Sequence, residues 1–272
     1  MHPLLNIATM AARAAGGNIM HHLSRIDQLN IEQKGINDYV SEVDKEAEKT
    51  IIDTIRKYYP EHAILAEESG AQKGKKTKYG QSEIEWIIDP LDGTTNFLHQ
   101  FPQFCVSIAI REKGQLQHAA IFDPVKDEMF SASRGRGAFL NNHRIRVSQQ
   151  KQLENSLLAT GFPYHDFSYL DSYMESLKAF MIATSGVRRA GSAALDLAYV
   201  ACGRVDGFWE FNLKPWDIAA GALIITEAGG LATDFQGGEN FLESGNIMAA
   251  NPKLYKHMAQ TLAKTVPVEL RT

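Results

Sequence analysis

"WIIDPLDGTTNF", residues 86–97, decides how this chain is read. Trp86, Ile87, Ile88 and Leu91 are apolar, Pro90 sets the turn, and Asp89 and Asp92 stand three residues apart within the apolar run. An unpaired ionised carboxylate in an apolar setting is costly, so a buried strand that ends in two of them needs a cation there. Gly93-Thr94-Thr95-Asn96 follows. If a helix starts at Thr94, the N–H groups of Gly93, Thr94 and Thr95 are unpaired donors, and the glycine lets an anion approach the backbone. One turn then offers acids for a metal and amides for a phosphate, as metal-assisted hydrolysis of a phosphate ester requires.

Further acids sit at other element ends. Asp44 lies near the start of a helical stripe, Glu67-Glu68 follow a short strand, and Trp216-Asp217 opens a helix. No His or Cys stands among them, so the donors are all oxygen. That selects a hard ion, Mg²⁺ first and Mn²⁺ or Ca²⁺ next, and argues against zinc. Two plainer readings stay beside this one. A lone Asp at a helix start, such as Asp217, also serves as a cap, and Glu68 reads as a solvated or supporting acid.

Apolar periodicity predicts a helix over 3–23, interrupted in character by Gly16-Gly17, and a second from Val40 to Ile55. Between them "KGINDYVSEVD" reads as a loop or short hairpin. Strands are predicted at 63–66 and 84–88, separated by the lysine-rich surface loop "AQKGKKTKYGQSE" (71–83). Strands over 106–111, 117–122 and 128–131 form a meander, and "FLNNHRIRV" a hairpin turning at Asn-Asn. Composition shifts near 148–155. It separates an N-terminal α+β half, 1–150, carrying most of the acids from a C-terminal α/β half, 151–272, carrying Asp217, the two expected as one catalytic unit. The second half alternates strands (157–160, 205–211, 231–233) with helices (171–183, 193–201, 218–227, 252–263).

The chain has 272 residues with 44% hydrophobic and 22% charged content, enough for a real core. A net charge of -4 gives no sign of a general nucleic-acid binder. Cys105 and Cys202 show no CxxC spacing and read as core thiols of a reducing compartment, and the nine histidines show no ligand spacing. The N-terminal stretch is amphipathic with Arg13 inside it, and no apolar run approaches a membrane span, so a cytoplasmic protein is expected.

The ordered set Asp44, Glu67-Glu68, Asp89-Pro90-Leu91-Asp92-Gly93-Thr94 and Trp216-Asp217, then eleven residues and Gly229-Gly230, resembles the inositol monophosphatase family of the Mg²⁺-dependent, lithium-sensitive phosphatase superfamily, bacterial type. The resemblance implies a layered α-β-α-β-α sandwich of α+β class. It implies two or three Mg²⁺ ions, with Mn²⁺ as a substitute. Glu67, Asp89 and the carbonyl of Leu91 would hold one ion, and Asp89, Asp92 and Asp217 a second. Gly93 and Thr94 would bind phosphate. Thr94, oriented by Asp44, would position the attacking water together with Glu67. Gly191, Ser192, Ala193 and Glu210 would meet the sugar ring, with Asp92 placed near the leaving group. The implied substrate is a small phosphorylated polyol, myo-inositol monophosphate first, and the implied assembly a homodimer.

Sister activities of the superfamily act on fructose 1,6-bisphosphate or 3′-phosphoadenosine 5′-phosphate. The short segment around Ala193 and the acid at Glu210 favour a small monophosphorylated polyol, with a broad sugar or nucleotide phosphatase as the alternative. A different class of role is also carried by the resemblance, since some bacterial relatives are implicated in transcription. RNA polymerase and antitermination factors are therefore candidate partners, with "SGVRRAGS" (185–192) as a candidate surface.

Overall fold

The computed structural model describes residues 2–26, 31–35, 38–76, 82–163 and 166–271, with backbone alone for 31–41. In chain order the elements are α1 (Pro3–Leu23), β1 (Ile31–Gly35), β2 (Asp38–Ser41), α2 (Glu42–Tyr58), β3 (Ala63–Ala66), β4 (Gly70–Gln72), β5 (Ile84–Asp92), α3 (Thr94–Leu98), β6 (Cys105–Glu112), β7 (Gln115–Asp123), β8 (Glu128–Ser133), β9 (Gly137–Leu140) and β10 (His143–Arg144). There follow β11 (Leu157–Thr160), α4 (Leu170–Ala183), β12 (Gly186–Arg188), α5 (Ala193–Ala201), β13 (Gly207–Glu210), α6 (Pro215–Glu227), β14 (Leu231–Thr233), α7 (Phe241–Ser244), β15 (Ile247–Ala250) and α8 (Pro252–Thr265).

Strand periodicity builds the layers. Successive strand side chains point to opposite faces. In β5, Trp86 and Ile88 pack into a core formed with α1 and α2, while Ile87 packs into a second core with α5 and α6. In β13, Phe208 joins that second core and Trp209 a third one with Tyr173 and Phe180 of α4 and Leu254, Met258 and Leu262 of α8. The order is therefore helix pair, eight-stranded sheet, helix pair, five-stranded sheet, helix pair: the layered α-β-α-β-α sandwich. The large sheet runs β10-β9-β8-β7-β6-β5-β3-β4 and is antiparallel except where β3 lies parallel to β5. The small sheet runs β12-β11-β13-β15-β14.

Several expectations shift. Val40 does not belong to a helix: it lies in β2, and the helix starts at Glu42, so the loop or hairpin before it is a hairpin, β1 with β2. The helix expected over 3–23 is present as α1, unbroken across Gly16-Gly17; a Cβ at Gly16 would lie 2.7 Å from the Phe122 ring, so the glycine lets the helix settle on the sheet. β5 runs on to Asp92 with a bulge between Asp89 and Asp92. β15, a short apolar run absent from the expected elements, is a central strand of the small sheet. The Asn141-Asn142 turn is realised with positive φ at both residues, as a tight hairpin demands. Of the lysine-rich loop, residues 77–81 lie outside the described residues. Among the described residues no helix is long and apolar enough to cross a membrane.

Candidate active site

The parallel pair β3–β5 places the first two acids together. Ala66 pairs with Ile88, so both strands end at the same level, and the Glu67 N–H donates to the Ile88 carbonyl at 3.2 Å. Glu67 and Asp89 thus emerge side by side at the carboxyl ends of the strands, where open sheets of mixed α and β structure place their ligands. Asp89 is buried, and its Oδ1 accepts the Leu91 N–H at 3.0 Å, which shapes the bulge carrying Leu91 and Asp92.

Gly93 ends the strand with φ of 95°. A Cβ there would lie 2.9 Å from the Gln103 carbonyl oxygen, so both conformation and space call for glycine. α3 then starts at Thr94. The Thr94 hydroxyl lies 2.8 Å from Asp44 Oδ1 and 3.0 Å from the Leu91 carbonyl, joining the first turn of α2 to the bulge. One helical turn on from Asp44, buried Glu48 accepts the N–H groups of Glu68 and Ser69 at 2.8 and 3.1 Å and pins the turn after β3. Glu48 was not singled out from the sequence; its i+4 spacing from Asp44 is the available signal.

Asp92 reaches into the second half of the chain. Its Oδ2 accepts the Ser192 hydroxyl at 2.6 Å and the Ala194 N–H at 2.8 Å, so it completes the N-terminus of α5 together with the N-cap Ser192. Asn96 Nδ2 contacts the carbonyls of Gln103, Ala190 and Gly191 at 2.7, 2.9 and 3.3 Å and ties α3 to the same segment. Asp217 stands in the first turn of α6, where its Oδ2 accepts the Lys214 N–H at 2.7 Å. The capping reading of Asp217 is realised with one oxygen, and the Asp217 charge also bears on Asp89. Glu210, at the end of β13, is buried beside Gly161: a Cβ at residue 161 would lie 1.8 Å from Glu210 Oε1. Gly161, Asn96 and Asp196 are further residues the sequence reading did not assign.

Glu67, Asp89, Leu91, Asp92, Gly93, Thr94, Gly191, Ser192, Ala193, Glu210 and Asp217 all line one cavity of about 500 Å³, with Arg189 and Asp196; Asp44 stands behind Thr94. Arg188 and Arg189 are both exposed, and the Arg189 guanidinium lies 5.3 Å over the Phe162 ring at this cavity.

Burial, then the charges of Glu67, Asp92 and Asp217, push the Asp89 carboxyl well above its ordinary range. Burial and Asp92 push Asp217 up to about 7. Asp92 is raised by burial against the opposing pull of the Ser192 and Ala194 donors. Glu210 and Asp196 are raised well by burial, with Arg189 offsetting part of it. No lysine or arginine nitrogen among the described residues lies within ion-pair distance of Asp89, Asp92 or Asp217.

The donor chemistry fits a hard divalent cation: four carboxylates and the Leu91 carbonyl, all oxygen. Among the described residues no three His, Cys, Asp or Glu side chains form a ready-made cage. The charges of Glu67, Asp92 and Asp217 all act against ionisation of Asp89, and a bound cation removes that conflict.

A mixed sheet layered with helix pairs, carrying acids of this order at the strand ends, defines the class. Residues 1–268 match the inositol monophosphatase family, and the chain belongs to that family. The family is generally Mg²⁺-dependent. The Nus factor SuhB of Pseudomonas aeruginosa is 51% identical over 273 residues, covering 100% of both chains. The crystal structure of the extragenic suppressor protein SuhB from Bartonella henselae superposes with a TM-score of 0.93 at 42% identity, covering 97% of this chain and 100% of that one. The structure of an inositol monophosphatase from Anabaena (Nostoc) superposes with a TM-score of 0.81 at 39% identity, covering 98% and 97%.

Proposed function

We propose that this family member hydrolyses a small phosphorylated polyol, with myo-inositol monophosphate the first candidate, to the free polyol and phosphate. Glu67, Asp89, the Leu91 carbonyl, Asp92 and Asp217 would hold two or three Mg²⁺ ions, with Mn²⁺ as a substitute. Bound there, the metal supplies neutralisation of phosphate charge and a water of lowered proton affinity. The remaining work falls to the chain. The amides of Gly93 and Thr94 bind phosphate oxygens at the start of α3. The Thr94 hydroxyl, held by Asp44 at 2.8 Å, positions the attacking water together with Glu67. Gly191, Ser192, Ala193 and Glu210 line the wall where the polyol sits.

The observation that carries this reading is the level ending of β3 and β5, which sets Glu67, Asp89 and Asp92 against the Thr94–Asp44 pair. Phosphate release from myo-inositol 1-phosphate by the purified protein tests it: turnover with Mg²⁺ and none after chelation supports the reading, and no turnover with either Mg²⁺ or Mn²⁺ defeats it. A homodimer belongs to the same reading, and sedimentation at the monomer mass counts against it.

A second reading rests on one observation, the name Nus factor carried by a relative identical at half its positions. It assigns this chain a role with RNA polymerase and antitermination factors, through the exposed stretch around Arg188. Co-purification with those factors supports it, and Asp89→Asn retaining the interaction separates it from catalysis; failure of wild-type protein to associate removes it.

A further inference from the structure

Asp196 is the acid of this cavity that the chemistry above leaves unused. It is the fourth residue of α5, one helical turn beyond Ser192, and its N–H donates to the Ser192 carbonyl at 3.0 Å. Residues four apart share a helix face. The face that offers the Ser192 hydroxyl to Asp92 therefore also carries Asp196, and Asp196 lines the same cavity. The residue is 3% exposed. Among the described residues no donor hydrogen-bonds its carboxylate; burial and the Asp92 charge act against it, and Arg189 is the cation that acts for it.

An acid in the first turn of a helix gains from the backbone dipole, but an exposed acid gains that without the cost of burial. The Asp196 oxygens open into the cavity, so the donor they lack within the protein comes from what fills that cavity, and a ligand hydroxyl can supply it. Glu210 repeats the condition on β13: it is 8% exposed, no protein donor among the described residues reaches its carboxylate, and it lines the same wall. Two buried acceptors from separate elements thus face one cavity beside the phosphate end. A polyol brings several hydroxyl donors on neighbouring carbons. A simple aryl ester brings none.

We propose that Asp196 is a specificity-determining residue: its carboxylate accepts hydroxyl hydrogen bonds from the substrate jointly with Glu210, selecting phosphate esters of polyols with free hydroxyls beyond the ester carbon. The proposal rests on the phosphomonoesterase reading of the site.

The test compares full-length wild type, Asp196→Asn and Asp196→Ala in Mg²⁺ on myo-inositol 1-phosphate and p-nitrophenyl phosphate, with melting temperatures. The ratio of kcat/KM for the inositol ester over the aryl ester is expected to fall about ten- to hundred-fold in Asp196→Ala, the size of a hydrogen bond to a charged acceptor. It falls less in Asp196→Asn, whose amide oxygen still accepts. Both variants melt at or above the wild-type temperature, since a largely buried carboxyl with no protein donor is gone. An unchanged ratio, with equal losses on both esters or with a lowered melting temperature, overturns the proposal and leaves Asp196 a helix-start residue while the phosphatase reading stands. Wild-type protein inactive on both esters defeats the phosphatase reading itself, and this proposal with it.

Discussion

Ser107 stands directly across from Asp89 in the antiparallel pairing of β5 with β6, and its hydroxyl donates to the Trp216 carbonyl at 3.3 Å. The residue after Trp216 is Asp217. A single buried serine therefore links the strand that carries Asp89 to the helix start that carries Asp217, across 109 positions of sequence. Convergence of these acids is built into the sheet register and stands against the mutual repulsion of their charges.

Ser107→Ala is expected to loosen that link. The bond is long, so the stability loss should stay near 1 kcal/mol. Apparent Mg²⁺ affinity should fall several-fold, because Asp217 is held less firmly relative to Asp89. Denaturant unfolding and a Mg²⁺ titration of activity read the two effects; unchanged Mg²⁺ dependence would show that α6 is placed without Ser107.

Thr94→Val keeps the shape of the side chain and removes the hydroxyl that meets Asp44. Turnover is expected to fall by about 10²-fold or more, as for the loss of a group that orients a proton transfer. Thr94→Ser should retain most of it. Steady-state kinetics decide, and a valine variant within a few-fold of wild type contradicts the water-positioning role.

Gly161→Ala puts a methyl group where Glu210 Oε1 now lies. The Glu210 carboxylate has to move, at a cost of about 1–3 kcal/mol of stability for overpacking. Selectivity for an inositol ester over an aryl ester should drop as in Glu210→Gln. Equal losses on the two substrates in both variants would remove Glu210 from polyol recognition.

The raised carboxyls give a pH dependence with a definite sign. Asp217 titrates near 7 in the folded metal-free chain against an ordinary value of 3.8, and Asp89 is raised as well. A raised acid contributes stability that is present below its unfolded pKa and is lost as pH rises through the folded one. The chelated protein should therefore lose stability from about pH 4 to about pH 8, and Mg²⁺ affinity should rise over the same interval as protons leave. Melting curves with and without Mg²⁺ across that range check it. A chelated protein that gains stability over the interval contradicts the assignment.

The local part of the site was legible in the sequence because the signal is local. Asp89, Pro90, Leu91, Asp92 and Gly93 occupy five consecutive positions, and the bulge and the φ of 95° at Gly93 follow from them. The layers were legible through the resemblance. What stayed hidden works across the chain. Glu48 acts on the turn after β3 from 20 residues away, Asn96 on Ala190 and Gly191 from more than 90, and Gly161 matters only because Glu210 comes to rest against it. None of these carries a mark in its own neighbourhood. Val40 fits the helical period by its spacing, yet the hairpin claims it. β15 is four residues of mostly small apolar side chains, too short for its period to speak.

The most direct measurement is Mg²⁺-dependent hydrolysis of an aryl phosphate by Asp89→Asn beside wild type, with the melting temperature of each chelated protein. Asp89 is the acid on which burial and three neighbouring charges bear together. The account predicts that the variant melts at or above the wild-type temperature and that its Mg²⁺-dependent turnover is lost. A folded variant that keeps more than about a tenth of the wild-type rate contradicts it, since losing a carboxylate proposed to hold the metal should cost far more than that.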